Sequence, residues 1–246
     1  MEATRRHTPV VFLHSAGLTP RMWQDQVEAV ALREAQGTSA AQGTRRDQGT
    51  SRDQGAGDAQ GAGELQVLAP WLVGLRPGRP AELSLPNAAA GVVSQLDANG
   101  IERAYLVGHQ LGAMAALEVA VTQPERVAGL VLSGALVSPG RLALGMQKGL
   151  IRMLPNRAFA ESGATKEDLI RALDVIAGAD FGKRLAEIRV PVLVVSGASD
   201  PSLPSAKLLA QRLPDARLVE IPGAGANPNL EQPAAYNQLL TDFLIG

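Results

Sequence analysis

The sequence predicts an α/β fold, a mostly parallel sheet of about six strands with helices on both faces and a small helical cap. Three observations carry this. Short apolar runs alternate with stretches of helical spacing, the pattern of strands buried on both sides by crossover helices. Residues 104–117, AYLVGHQLGAMAAL, pass from an apolar run through two closely spaced glycines straight into a helix-forming run. A length of 246 residues with 46% hydrophobic content suffices for one large domain core.

The elements follow in order. Residues 10–13 (VVFL) form a buried strand, ended by His14-Ser15-Ala16-Gly17. With so few residues ahead of it, an antiparallel N-terminal hairpin is not expected. Pro20 opens a helix whose apolar positions Met22, Trp23, Val27 and Val30 carry it to about residue 35. Residues 36–64 differ in kind. Gln-Gly recurs at 36, 42, 48, 54 and 60, yet no apolar residue larger than alanine appears before Leu65. A β-helix coil needs an apolar residue in each turn, so this tract is expected to be a flexible insertion. Residues 65–69 resume as a strand, 70–86 form a proline-rich loop, and 87–99 form a helix that ends at Gly100. The strand-turn-helix of 104–117 comes next, then a buried strand over 127–133.

Residues 136–188 lack strand runs and read as the cap. Leu142, Met146, Leu150 and Met153 share one helical face; Leu169, Ile170, Leu173 and Ile176 share another, behind a Thr165-x-x-Asp168 start signal. Met146, Leu150 and Met153 read as cap core, although such residues also line apolar ligand pockets. A strand at 191–196, a helix at 205–213, a strand at 218–221 and a final helix at 230–244 complete the core, which thus comprises residues 1–135 and 189–246.

Composition narrows the function. The net charge of −1 does not suggest a nucleic acid or an anionic membrane as partner, and no run of 18 uncharged apolar residues occurs. The absence of cysteine excludes disulfides and thiolate metal sites and fits a reducing cytoplasm; no metal or cofactor is expected. Histidine occurs only at positions 7, 14 and 109.

The motifs resemble those of the α/β-hydrolase family along nearly the whole chain outside the repeat tract. Residues 11–17, VFLHSAG, are similar to the family's strand ending in His-Gly, with Ala16 at the position of one oxyanion N–H. Gly108-His109-Gln110-Leu111-Gly112 resembles the Gly-x-Ser-x-Gly nucleophile elbow, with Leu111 supplying the second N–H. Residues 196–201, SGASDP, resemble the segment that carries the family's acid, at Asp200, and residues 221–233 the segment that carries its histidine, at Ala226. The resemblance therefore places the triad at Gln110, Asp200 and Ala226. An amide is neither nucleophilic nor basic, and a methyl group takes no proton. Trp71 stands where the family usually has Asp. Conventional serine hydrolysis is therefore not expected.

Gln110 has three readings: a filler bonded to the two oxyanion N–H groups, a hydrogen-bonding group for a ligand, or a polarising catalyst. His109 and His14 read as structural or as acid–base groups, and Asp200 as a turn cap or a site-facing carboxylate. Together with Ser15, Ala16 and Leu111 these residues are the ligand-binding candidates. Two functions follow. One is a pseudo-hydrolase that keeps a pocket for a small apolar molecule, with a protein partner as an option. The other is a divergent non-hydrolytic enzyme, of cyclase, isomerase or lyase type, using the same pocket.

Overall fold

A computed structural model describes residues 8–43, 66–79, 81–136, 141–155 and 165–245. Six strands, β1 (Val10–Leu13), β2 (Val67–Leu68), β3 (Ala104–His109), β4 (Val127–Ser133), β5 (Val192–Gly197) and β6 (Ala216–Ile221), form one sheet in the order β2-β1-β3-β4-β5-β6. Every pairing is parallel. The helices are α1 (Gln24–Gly43), α2 (Leu85–Ala98), α3 (Leu111–Thr122), α4 (Arg141–Met153), α5 (Lys166–Gly178), α6 (Leu203–Arg212), α7 (Pro228–Glu231) and α8 (Pro233–Ile245).

Strand alternation sorts the apolar residues into two layers. Val11, Leu13, Leu106, Leu130, Leu132 and Val194 face α2, α3, α5 and α6. Val10, Phe12, Val107, Val131, Leu193 and Val195 face the other way, onto Trp23, Tyr236 and Leu240. Each such side chain contributes roughly 1.5–3 kcal/mol by leaving water. Part of the insertion between β4 and β5 shares the main core: Ala172 and Ile176 of α5, with Phe181 and Leu185 of the 3-10 turn Gly182–Glu187, join the first layer. The Thr165–Asp168 capping box opens α5 as the sequence suggests.

Several boundaries differ from the sequence reading, each for a local reason. Helix α1 continues to Gly43, so the first eight residues of the Gln-Gly tract are helical rather than loop; the rest of the tract, from 44, lies outside the described residues up to 65. Strand β2 is two residues long rather than five. Helix α2 starts at Leu85, because Ser84 caps it and Pro86 sits in the first turn, where a missing N–H costs nothing. The final helix is split at Gln232-Pro233, since proline disfavours helical backbone in the residue before it. Met146, Leu150 and Met153 are not cap core. Helix α4 rests on α5 through its other side and leaves these three exposed.

The turn from β3 into α3 is the tightest junction. A Cβ on Gly112 would lie 2.1 Å from the Leu13 carbonyl oxygen, and one on Gly108 would lie 2.6 Å from the Ala113 backbone. Helix α3 is thus seated directly on the end of β1, with backbone on both sides and no flexible side chain to give way. Gly112→Ala is therefore expected to destabilise the protein by about 3 kcal/mol, read as a lower urea midpoint with an unchanged slope. A loss below about 1 kcal/mol would show that the junction is looser than described.

Candidate functional site

The parallel sheet directs the C-terminal ends of β1, β3, β5 and β6 to one edge, where α/β folds place their sites. Gln110 stands at the centre, between the end of β3 and the first residue of α3. Its backbone angles are φ 46° and ψ −109°, and it is the one non-glycine residue with positive φ among the described residues. A conformation of this kind costs about 1–3 kcal/mol and persists only where the surroundings enforce it. Here they do so from both sides. The Gln110 N–H donates to the Ser133 carbonyl at 2.7 Å, and its own carbonyl accepts the Met114 N–H at 3.0 Å.

The side chain is held as well. Ser15 Oγ donates to Gln110 Oε1 at 2.6 Å, and Gly134 lies so close that a Cβ there would come within 2.9 Å of Gln110 Cγ. With Oε1 engaged by Ser15, the Gln110 Nε2 protons have no partner among the described residues. Nor do the N–H groups of Ala16 and Leu111. Gln110 is therefore not a plug bonded to those two N–H groups, which differs from the filler reading. Half-buried Gln110 instead leaves its amide donors free among the described residues, as are the Leu111 N–H at the uncapped start of α3 and the Ala16 N–H in the loop after β1.

The other candidates hold the surrounding loops. His14 is buried, with Nδ1–H donating to the Ser15 carbonyl at 2.9 Å and Nε2 accepting the Leu72 N–H at 3.1 Å. Its ring meets Trp71 edge-on at 5.0 Å, and burial lowers its pKa. Asp200 is buried at the end of β5, where Oδ1 accepts the Ser202 N–H at 2.7 Å and caps its own turn. That turn joins the loop after β6 through Ser199 N–H to the Ala224 carbonyl, 3.0 Å. Ala226 sits half-exposed in the same loop.

Two residues that the sequence reading did not single out organise this loop. Glu231 accepts the N–H groups of both Gly225 and Asn227, which hold its carboxyl below the usual range. Asn227 in turn places Oδ1 3.1 Å from His109 Nε2. No capping-box spacing announces this pair, since Glu231 lies four residues after Asn227 and Asn227 makes no side-chain cap bond. His109 is fully buried, and burial lowers its pKa to about 4, against a smaller opposing effect of the Asn227 bond. The ring is therefore neutral at pH 7, with Nε2–H donating to Asn227 and Nδ1 buried without a partner among the described residues. No group of three or more metal-ligating side chains occurs among the described residues.

The family model described as "Alpha/beta hydrolase family" matches residues 10–239. The chain belongs to the α/β-hydrolase family. Among curated relatives, "Putative carbamate hydrolase RutD" of Klebsiella pneumoniae (strain 342) is 30% identical over 198 residues, covering 67% of this chain and 74% of that one. The enol-lactonase from Burkholderia xenovorans LB400 superposes with a TM-score of 0.75 at 19% identity, over 100% of this chain and 94% of that one. MGS-M2, an α/β-hydrolase enzyme from a Medee basin deep-sea metagenome library, gives 0.76 at 16% identity, over 100% and 91%. At these identities the two structures speak for the fold alone. Six parallel strands with flanking helices are the α/β-hydrolase fold.

Two predictions follow from the geometry. His109 has a folded pKa of about 4 against 6.5 for the free side chain, so the unfolded chain binds the extra proton first on acidification. Its stabilising contribution is complete above pH 6.5 and is lost as pH falls towards 4, by about 3 kcal/mol. Urea unfolding at pH 7 and pH 4 should show this loss, and His109→Gln should flatten the dependence in that window. Separately, Gln110→Gly should be more stable than Gln110→Ala by about 1 kcal/mol, because both lack the amide and only alanine keeps the strain. Equal stabilities would contradict the strained turn.

Proposed function

We propose that this chain is a pseudo-hydrolase that binds a small, largely apolar molecule with at least one acceptor oxygen between the sheet edge and the helices inserted after β4. The observation that carries the reading is the state of Gln110. It occupies a strained strand-to-helix turn, is anchored through Oε1 by Ser15, and has its amide N–H groups without a partner among the described residues. A residue held at such a cost, with donors left over, suits a binding role. The acceptor oxygen would meet Gln110 Nε2 and the N–H groups of Ala16 and Leu111. Leu169 of α5 approaches Gly17 from above, so the insertion acts as the cap over this edge.

Hydrolysis of a carbamate or an ester by the family's covalent route needs an attacking hydroxyl and a base. We assign the two corresponding positions to Gln110 and Ala226, which supply neither. Asp200 is engaged in its turn, and neutral His109 is directed to Asn227. A lyase, isomerase or cyclase that moves a proton on the same site would also need a proton-transferring group at the ligand. The absence of cysteine supports the cytoplasm as the place of action.

The purified chain is expected to turn over neither p-nitrophenyl acetate nor a p-nitrophenyl carbamate above the buffer rate. After incubation with a small-molecule extract, native mass spectrometry should show a ligand of unchanged mass whose retention is lost on Gln110→Ala. Ester turnover that disappears with Gln110→Ala, or a consumed ligand with a new product mass, would overturn the reading.

A further inference from the structure

Ser15 is bonded to Gln110, yet it is only 1% exposed and leaves almost no surface for a ligand to touch. Bulk water does not compete for its hydroxyl. Its place is fixed through its carbonyl, which accepts His14 Nδ1–H at 2.9 Å and the Leu18 N–H at 3.3 Å. A serine hydroxyl carries one proton and can also accept. Two acceptors lie within reach of that proton, Gln110 Oε1 at 2.6 Å and the Ala16 carbonyl at 3.2 Å.

Each placement of the proton fixes one orientation of the Gln110 amide. A proton given to Gln110 holds Oε1 against Ser15 and leaves Nε2 for a ligand. A proton given to Ala16 makes Ser15 Oγ an acceptor, which would draw Nε2 inwards and leave Oε1 for a ligand. The distances decide between them. A separation of 2.6 Å lies inside the O–H···O range of about 2.5–3.0 Å and is shorter than the N–H···O range of about 2.7–3.2 Å. The 3.2 Å contact to Ala16 is long for a hydroxyl donor. The Ser15 proton is thus committed to Gln110, and the amide is set with its donors outwards.

We propose that Ser15 is the specificity-determining residue of this site: by orienting the Gln110 amide it makes the pocket select a carbonyl-type acceptor and reject an N–H in the same place. The role rests on the reading of Gln110 as the group that meets the ligand. Ser15 is a positioning residue, acting through Gln110 without contact of its own. An unoriented amide turns over to match either kind of ligand and discriminates poorly. A fixed one leaves donor against donor when the wrong ligand enters, and both groups then lose their partners.

The test is NMR titration of the full 15N-labelled chain with two probes of similar size. Acetophenone offers only an acceptor oxygen, and N-methylaniline offers an N–H in its place. The Gln110 side-chain signal is identified by its loss in Gln110→Glu. The wild type should bind acetophenone about tenfold more tightly, Ser15→Ala should bind the two within about twofold, and Gln110→Glu should reverse the preference. The wild-type Gln110 amide should be as rigid as the backbone, with an order parameter of about 0.85, and should fall below about 0.6 in Ser15→Ala while the backbone of 108–114 is unchanged. Acetophenone binding with an unchanged preference in Ser15→Ala would overturn the role of Ser15 alone. Binding of neither probe to the wild type would fail the pocket reading, and this role with it. A mobile amide in the wild type, or Gln110→Glu without a reversed preference, would overturn the proposal even if Ser15→Ala did not fold.

Discussion

The close approach of α3 to the end of β1 is the constraint on which the rest of the structure depends. Gly112 has its backbone against the Leu13 carbonyl, so the chain must leave β3 and enter α3 in a single residue. Gln110 is that residue, and its positive φ is the consequence. In the α/β-hydrolase family the same geometry lifts a reacting group clear of the sheet edge. Here it lifts an amide. Any residue with a Cβ carries the strain at this position, because the backbone angles are imposed by the glycines on either side and by bonds to Ser133 and Met114.

Around that turn, polar side chains are used to tie loops to one another. His14 holds the loop after β1 to the segment after β2, Asn227 holds the β6 loop to His109, and Glu231 closes the same loop on itself. Both histidines are neutral at pH 7 because burial opposes their charged forms. Each therefore acts as a fixed donor or acceptor, and acid is the condition that undoes the arrangement. With the surrounding loops held, Ser15 can fix the Gln110 amide in one orientation.

Much of this was legible in the sequence, and the reasons are specific. The glycines at 108 and 112 and the apolar runs on either side name the strand-turn-helix, because only such a junction needs both. The proposed assignment of Gln110 and Ala226 to the triad positions rests on the order of the flanking motifs alone. Other features depended on tertiary context. The partner of Gln110 is 95 residues away in sequence, so no local pattern points to Ser15. The Asn227–His109 bond spans 118 residues for the same reason. Helical periodicity showed that α4 has an apolar side, but periodicity is silent on direction, and the side turned out to face away from α5. The Gln-Gly tract lacks apolar residues from its start, yet α1 carries on into it, since a helix already nucleated by packed residues extends at little cost.

The central proposal is that the strand-turn-helix frame of a hydrolase is kept while the groups at 110 and 226 withhold its chemistry. The most direct measurement compares p-nitrophenyl acetate hydrolysis by the wild type and by the double variant Gln110→Ser, Ala226→His, with both proteins shown to be folded. The account predicts an inert wild type and a double variant that gains a burst of p-nitrophenol and an acetylated Ser-bearing peptide, with a rate at least about 100-fold above background. A folded double variant that stays inert, or a wild type that already hydrolyses the ester at the same rate, would contradict it.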